Sequence, residues 1–284
     1  MIPGPQYQRP LTKKSGAPEI YVTNTRPEHV PALARLQRIV FPTLEDHELF
    51  TEAKYLKHLE LFPEGQFVAL ARTPEGDIPV AATSTYRTHF DFNNHQHTYE
   101  EAIAGGWLTN HDAQGEWLYG VDMSVHPDYR GLKIGRKLYE ARHDLVRRLN
   151  LRGEIAGALI PGYTHHDRNL TVAQYVLRVM QGKLHDPTLS MQLRNGFRIK
   201  GILYEHISDE RSGNCATLIV RENPFYVTPS GEQVQLHHST RVGTSSHAHS
   251  VNHSHGKAQH QHGRARALSP HRNKQAARHP NAHL

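Results

Sequence analysis

Residues 125 to 142 read VHPDYRGLKIGRKLYEAR, and inside them Arg130, Gly131, Leu132, Lys133, Ile134 and Gly135 separate an alternating apolar segment from an amphipathic basic one. That order of residue types holds an anion. Gly131 and Gly135 let the main chain come close to a bulky phosphate, and the free N–H groups and positive dipole end of a helix starting there favour negative charge. Arg130 and Arg136 add cations, so the ligand that fits best is a diphosphate. A nucleotide P-loop would end in Gly-Lys-Ser/Thr and a dinucleotide fingerprint would read G-x-G-x-x-G with an acidic residue after the next strand; neither pattern is present.

Two elements must position this loop. On its N-terminal side EWLYGVDMSV alternates, which predicts a strand with Trp117, Tyr119, Val121, Met123 and Val125 on one face and Gly120, Asp122 and Ser124 on the other. On its C-terminal side Leu138, Ala141, Leu145, Val146 and Leu149 form a helical stripe under a charged face. Around them the periodicities predict a mixed α/β domain from about residue 19 to 224. EIYVTNT reads as a strand, and Thr25 with Glu28 as a capping box for a helix carrying Val30, Leu33, Leu36 and Val40. A second helix is expected over 45 to 61. QFVALART and IPVAATSTYR form a hairpin, residues 91 to 115 a long loop, GEIAGALI a strand, 171 to 181 a helix, and CATLIVRE the last strand.

The spacing V-x-P-x-x-R-G-x-K-I-G-x-x-L resembles motif A of the GNAT superfamily of N-acetyltransferases, in which this loop holds the pyrophosphate of acetyl-CoA. The order of elements follows the GNAT layout over roughly residues 19 to 224, which implies the GNAT fold, a mixed central sheet flanked by helices. The stretches from His126 to Tyr163 and DPTLSMQLRNGF are similar to the GNAT module that precedes a nitrilase-like carbon-nitrogen hydrolase in longer relatives. This chain stops where that hydrolase would begin, and a hydrolase acting in trans is a partner the resemblance suggests.

The resemblance implies transfer of acetyl from acetyl-CoA to a primary amine. It assigns the cofactor loop to Arg130 through Arg136 and backbone polarisation of the thioester to Met123, Ser124 and Val125, where the family's strand carries a bulge. The family often places a Glu where this chain has Tyr119, leaving Asp122 as the nearest carboxylate, on the opposite face from Tyr119 unless the bulge shifts the phase. It often places a Tyr general acid where this chain has Gln192, so that role passes to Tyr163, to Tyr204 or to water. The alternative is a GNAT-shaped module that binds acyl-CoA or a partner without turnover.

Composition divides the chain of 284 residues. From Gln233 onward there is no Asp or Glu, while seven of the 33 Lys and Arg and eleven of the 24 His lie there. Setting those seven cations against the formal +6 leaves the rest near −1, so the body offers no charge argument for nucleic acid. Residues 1 to 18 read as a flexible leader and 225 to 284 as a disordered His-rich basic tail, whose HAH and HSH pairs suit only weak metal binding. THHD at 164 to 167 and NHD at 110 to 112 are assigned to loops and not to a metal site. The lone Cys215 excludes an intrachain disulfide, and no run nears the ~20 apolar residues of a membrane span. A cytoplasmic protein is expected.

Overall fold

The computed structural model describes residues 18 to 231, apart from 43 and 45 to 47. The leader, nearly all of the tail and the start expected for the second helix lie outside those residues. In chain order the elements are β1 (Ile20–Asn24), α1 (Val30–Val40), α2 (Glu52–Leu61), β2 (Phe67–Thr73), β3 (Gly76–Thr83), β4 (Thr85–Thr88), α3 (Tyr99–Ile103), β5 (Trp117–Gly120), β6 (Ser124–Val125), α4 (Ile134–Arg148), β7 (Gly153–Leu159), α5 (Val172–Met180), α6 (Leu189–Arg194), β8 (Arg198–Leu203) and β9 (Ala216–Glu222). No helix among the described residues is long and apolar enough to cross a membrane.

The strands form two sheets, β1-β2-β3-β6 and β4-β5-β7-β9-β8, in which only β5 and β7 run parallel. Both predicted strands that should have run straight cross from one sheet to the other. The expected strand 78 to 87 breaks at Ser84 into β3 and β4, and the expected strand 116 to 125 breaks across Val121 to Met123 into β5 and β6. The breaks are tied together, because Val121 N–H donates to the Ser84 carbonyl at 3.0 Å.

The second break corrects the predicted face assignment. Trp117, Tyr119 and Val121 pack with Leu33, Leu36 and Tyr55 of α1 and α2, whereas Met123 and Val125 pack with Leu118 and the α4 residues Leu138 and Leu145. A residue without a ladder partner slips the period-two alternation by one, which turns the end of the strand over.

The other departures are local. Thr25 does not cap α1; its N–H donates to the Gln66 carbonyl, and a 3-10 turn at Pro27–His29 leads into the helix, with His29 Nδ1 accepting the Arg26 N–H at 3.0 Å. The long loop contains α3, which opens on a capping box of Thr98 and Glu101. Packed chain continues past residue 224: Asn150 exchanges two hydrogen bonds with Val227, and Arg147 lies over the Phe225 ring.

The α4 stripe holds one residue that its apolar pattern did not show. Arg142 is 2% exposed and forms an ion pair with Glu154 of β7, itself 1% exposed. Gly120 makes room for it, since a Cβ there would overlap the guanidinium. Breaking a buried pair leaves an uncompensated charge at a cost of ~3–5 kcal/mol. Gly120→Ala is therefore expected to destabilise the protein by about 3 kcal/mol in urea unfolding, and a change under about 1 kcal/mol would mean that the pair can move aside.

Candidate active site

The anion loop is built from a 3-10 turn at Pro127–Tyr129, then Gly131 at φ +82° and Lys133 at φ +59°, after which α4 begins. The two left-handed residues turn the chain so sharply that consecutive amides face outward. None of the six N–H groups from Gly131 to Arg136 has a hydrogen-bond partner among the described residues. They stand at the positive end of a 15-residue helix. Arg130 and Lys133 are exposed beside them, while Arg136 is shared with Glu140 at 2.9 Å. Lys137 turns away to the Ile20 carbonyl.

Gly135 connects this loop to the strand break. Its position for a Cβ lies 3.4 Å from Met123 Sδ, so the helix mouth sits directly against the bulge. There the Asp122 carbonyl accepts the Thr83 hydroxyl at 2.5 Å. In a trans peptide the C=O and the following N–H point in opposite directions. The Met123 N–H is consequently turned away from β3, and it has no partner among the described residues. It is an oriented donor, as thioester polarisation requires.

Asp122 holds that geometry with its side chain. Its carboxylate accepts the Ser84 N–H at 2.8 Å, the Gln37 amide at 2.8 Å and the Ser124 hydroxyl at 3.0 Å. Gln37 also meets the Tyr55 hydroxyl at 2.9 Å. Burial pushes the Asp122 carboxyl above its ordinary range, and these three donors pull it back. The bulge also answers the question of faces: Asp122 and Tyr119 both address the α1 and α2 side.

Pairing between β5 and β7 ends at Tyr119 and Ile155, and beyond it the strands diverge. Two histidines that the sequence reading passed over stand at that opening. His97 Nε2 is 2.7 Å from the Tyr119 hydroxyl, and its Nδ1 is 2.7 Å from the His95 carbonyl. A nitrogen so close to a carbonyl carries the proton, so in neutral His97 the Nε2 accepts from Tyr119. By the same reasoning His206 Nδ1 donates to the His97 carbonyl at 2.8 Å, which leaves its Nε2 unprotonated. Gly157 lies beneath that nitrogen, since a Cβ there would run into His206 Nε2. Burial lowers both imidazoles, His206 to about 4, and raises the Tyr119 hydroxyl well above its usual value, with the Gly157 N–H partly offsetting it. Tyr86 stacks on Tyr119 with ring centroids 5.1 Å apart.

Other named residues fall elsewhere. Tyr204 is 56% exposed with its N–H on Gln96. Tyr163 reaches the Leu170 carbonyl at 3.4 Å. Gln192 is buried on the α4 side against the Tyr139 hydroxyl. In NHD, His111 accepts the Arg87 N–H and stacks on Phe62; in THHD, His165 ends a 3-10 turn and His166 lies near Tyr175.

The chain belongs to the acetyltransferase (GNAT) family, whose sequence pattern matches residues 33–158. It is 36% identical over 210 residues to the probable hydrolase YhcX of Bacillus subtilis, a match that spans 74% of this chain and 40% of that protein. This chain spans less than half the length of that relative. It is 32% identical over 206 residues to the uncharacterized N-acetyltransferase YkwB of the same organism, covering 72% of this chain and 89% of that one. Among solved structures the loading GNATL domain of CurA from Lyngbya majuscula superposes with a TM-score of 0.61 at 15% identity, over 72% of this chain and 98% of that one. The GphF GNAT-like decarboxylase bound to isobutyryl-CoA gives 0.58 at 22% identity, over 71% and 98%. These two show that the fold is the GNAT fold.

The buried imidazoles set an acid limit. Burial lowers His58 and His206 from 6.5 to about 4 and His143 to about 3, so the unfolded chain takes up protons that the folded chain refuses as pH falls below 6.5. Glu154 acts the other way, because burial holds its carboxyl above the usual range against the pull of Arg142 and Arg221. Its contribution is lost as pH rises, and it offsets one imidazole of the three. Net stability should fall on acidification, with Tm lower at pH 5 than at pH 6.5 by on the order of 5 °C. A melting temperature flat over that interval would show that the three imidazoles titrate alike in both states.

Proposed function

We propose that the protein is an N-acetyltransferase that moves the acetyl group of acetyl-CoA to a primary amine. The observation that carries this reading is the row of six unpartnered amides at the mouth of α4, packed through Gly135 onto the Met123 side chain, whose own N–H is also unpartnered among the described residues. An anion site and an oxyanion donor stand at the two ends of one short path, which suits a ligand with a diphosphate at one end and a thioester at the other. In this reading the amides of Gly131, Leu132, Lys133, Ile134, Gly135 and Arg136, with the Arg130 side chain, hold the diphosphate. The main chain at Met123, Ser124 and Val125 takes the pantetheine arm, and the Met123 N–H faces the thioester oxygen.

The amine then needs only to arrive uncharged and correctly placed, since fixing two reactants supplies much of the rate. Tyr119 and Asp122 line the α1 and α2 side from which it would approach, and Asp122 and Glu48 both act on the Tyr99 hydroxyl. These carboxyl groups and the phenol give that approach a polar lining suited to an amine. Tyr204, the third catalytic candidate, would reach the reaction only from its exposed position. A cytoplasmic working place fits the single free, buried Cys215.

The test is thermal unfolding of the full chain with acetyl-CoA, together with thiol release in the presence of spermidine, glucosamine and a lysine-containing peptide. At ~100 times its dissociation constant a ligand of the native state adds ~2.7 kcal/mol. The expected result is an upward Tm shift that Arg130→Glu abolishes and thiol release that depends on an amine. Binding without release from any amine would favour the non-catalytic module, and no shift at all would remove acetyl-CoA from the reading.

A further inference from the structure

His206 is buried at 2% exposure, and every polar atom of the residue but one is committed. Its N–H donates to the Asn214 carbonyl at 2.9 Å, its carbonyl accepts the Tyr99 N–H at 2.5 Å, and its Nδ1 donates to the His97 carbonyl at 2.8 Å. Nε2 alone has no partner among the described residues. The ring is wedged edge-to-face against His97 at 5.2 Å and Tyr99 at 6.1 Å, so it cannot turn to find one. An imidazole fixed in one tautomer, with a bare nitrogen over the glycine of a diverging strand, has the arrangement of a positioned base.

The loop that supplies His97 is itself pinned to the sheet edge. His95 covers Gly201, where a Cβ would collide with its ring, and Gln96 binds the end of β8 and the residue after it, donating to the Ile202 carbonyl at 2.6 Å and accepting the Tyr204 N–H at 3.2 Å. His97 therefore reaches Tyr119 and His206 from a fixed main chain.

We propose that His206 is the proton carrier of the transfer and that His97 is its positioning residue. This rests on the N-acetyltransferase reading. As the amine nitrogen bonds to the thioester carbon, one N–H bond breaks and its proton passes to His206 Nε2. As the C–S bond breaks, Nε2–H returns that proton to the sulfur, giving amide and thiol with no proton left over. The low basicity that burial gives His206 drives the second half, because a thiolate with a pKa of ~8.5 takes a proton readily from so acidic an imidazolium.

His206→Asn tests it, since the Asn amide can keep the donation to the His97 carbonyl while removing Nε2. Thiol release from acetyl-CoA is measured with whichever amine in the panel above the wild type uses fastest. The expected result is a kcat lower by ~100-fold or more, an unchanged acetyl-CoA-induced Tm shift, and partial rescue by added imidazole that Arg130→Glu does not show. A kcat within about threefold of wild type, or a loss that tracks the Tm shift and resists imidazole, overturns the assignment and leaves the acetyltransferase reading standing. A wild type that uses no amine overturns both. Should His206→Asn not fold, diethyl pyrocarbonate on the wild type decides: acetyl-CoA must protect His206 from modification, and equal labelling with and without it refutes the placement.

Discussion

A peptide plane whose carbonyl is held can present its N–H in one direction only, and the site is organised around one such plane, between Asp122 and Met123. Thr83 fixes the carbonyl, and the Asp122 side chain fixes the turn by gathering Ser84, Ser124 and Gln37. This requires the neighbouring strand to break as well, because Ser84 gives its N–H to the carboxylate and its carbonyl to Val121. Two strands therefore change sheets at one place. The gap between β5 and β7 and the unpartnered N–H of Met123 are two results of the same hydrogen-bonded knot.

The opposite face of the sheet bears the cost of that knot in a different form. Thr83 is hydrogen-bonded from Arg142 at 3.2 Å, and Arg142 is paired with Glu154, so the clamp on the bulge is continuous with a buried ion pair under α4. Such a pair adds little net stability compared with apolar packing of the same volume. What it adds here is direction: a leucine at position 142 could fill the space but would give Thr83 no partner on that side. The helix that presents the Arg-Gly loop at its start thus also steadies, two turns on, the hydroxyl that orients the Met123 N–H.

Much of this was legible in the sequence because it is periodic or local. The helix after the Arg-Gly turn, the strands and the loop glycines follow from spacing alone, and the spacing from Val125 to Leu138 led to the family. The change of face at the bulge was raised by the family resemblance alone, since EWLYGVDMSV alternates without a flaw and only tertiary hydrogen bonds on Asp122 interrupt it. Thr25 and Glu28 had the composition of a capping box but lost it to a ladder bond with Gln66. Arg142 looked like part of a charged face, because nothing local marks a buried partner on a strand twelve residues later.

His97 and His206 were hidden for a more general reason. Each stands in a polar connection with no period, 109 residues apart, and they meet only because the loop carrying one is fastened to the edge strand that the other follows. Their presence also bears on the two family positions that this chain does not fill. A glutamate at position 119 would place a carboxylate against Tyr86, with only the Gly157 N–H and His97 within reach, and burial there would keep it protonated. Tyrosine tolerates that environment, and Gln192 faces Tyr139 on the far side of the sheet, where it takes no part in this cleft. With both usual proton handlers replaced, a neutral imidazole brought in from a loop is a consistent substitute: it costs little to bury uncharged, and its backbone-fixed tautomer leaves the one nitrogen that faces the gap free to accept.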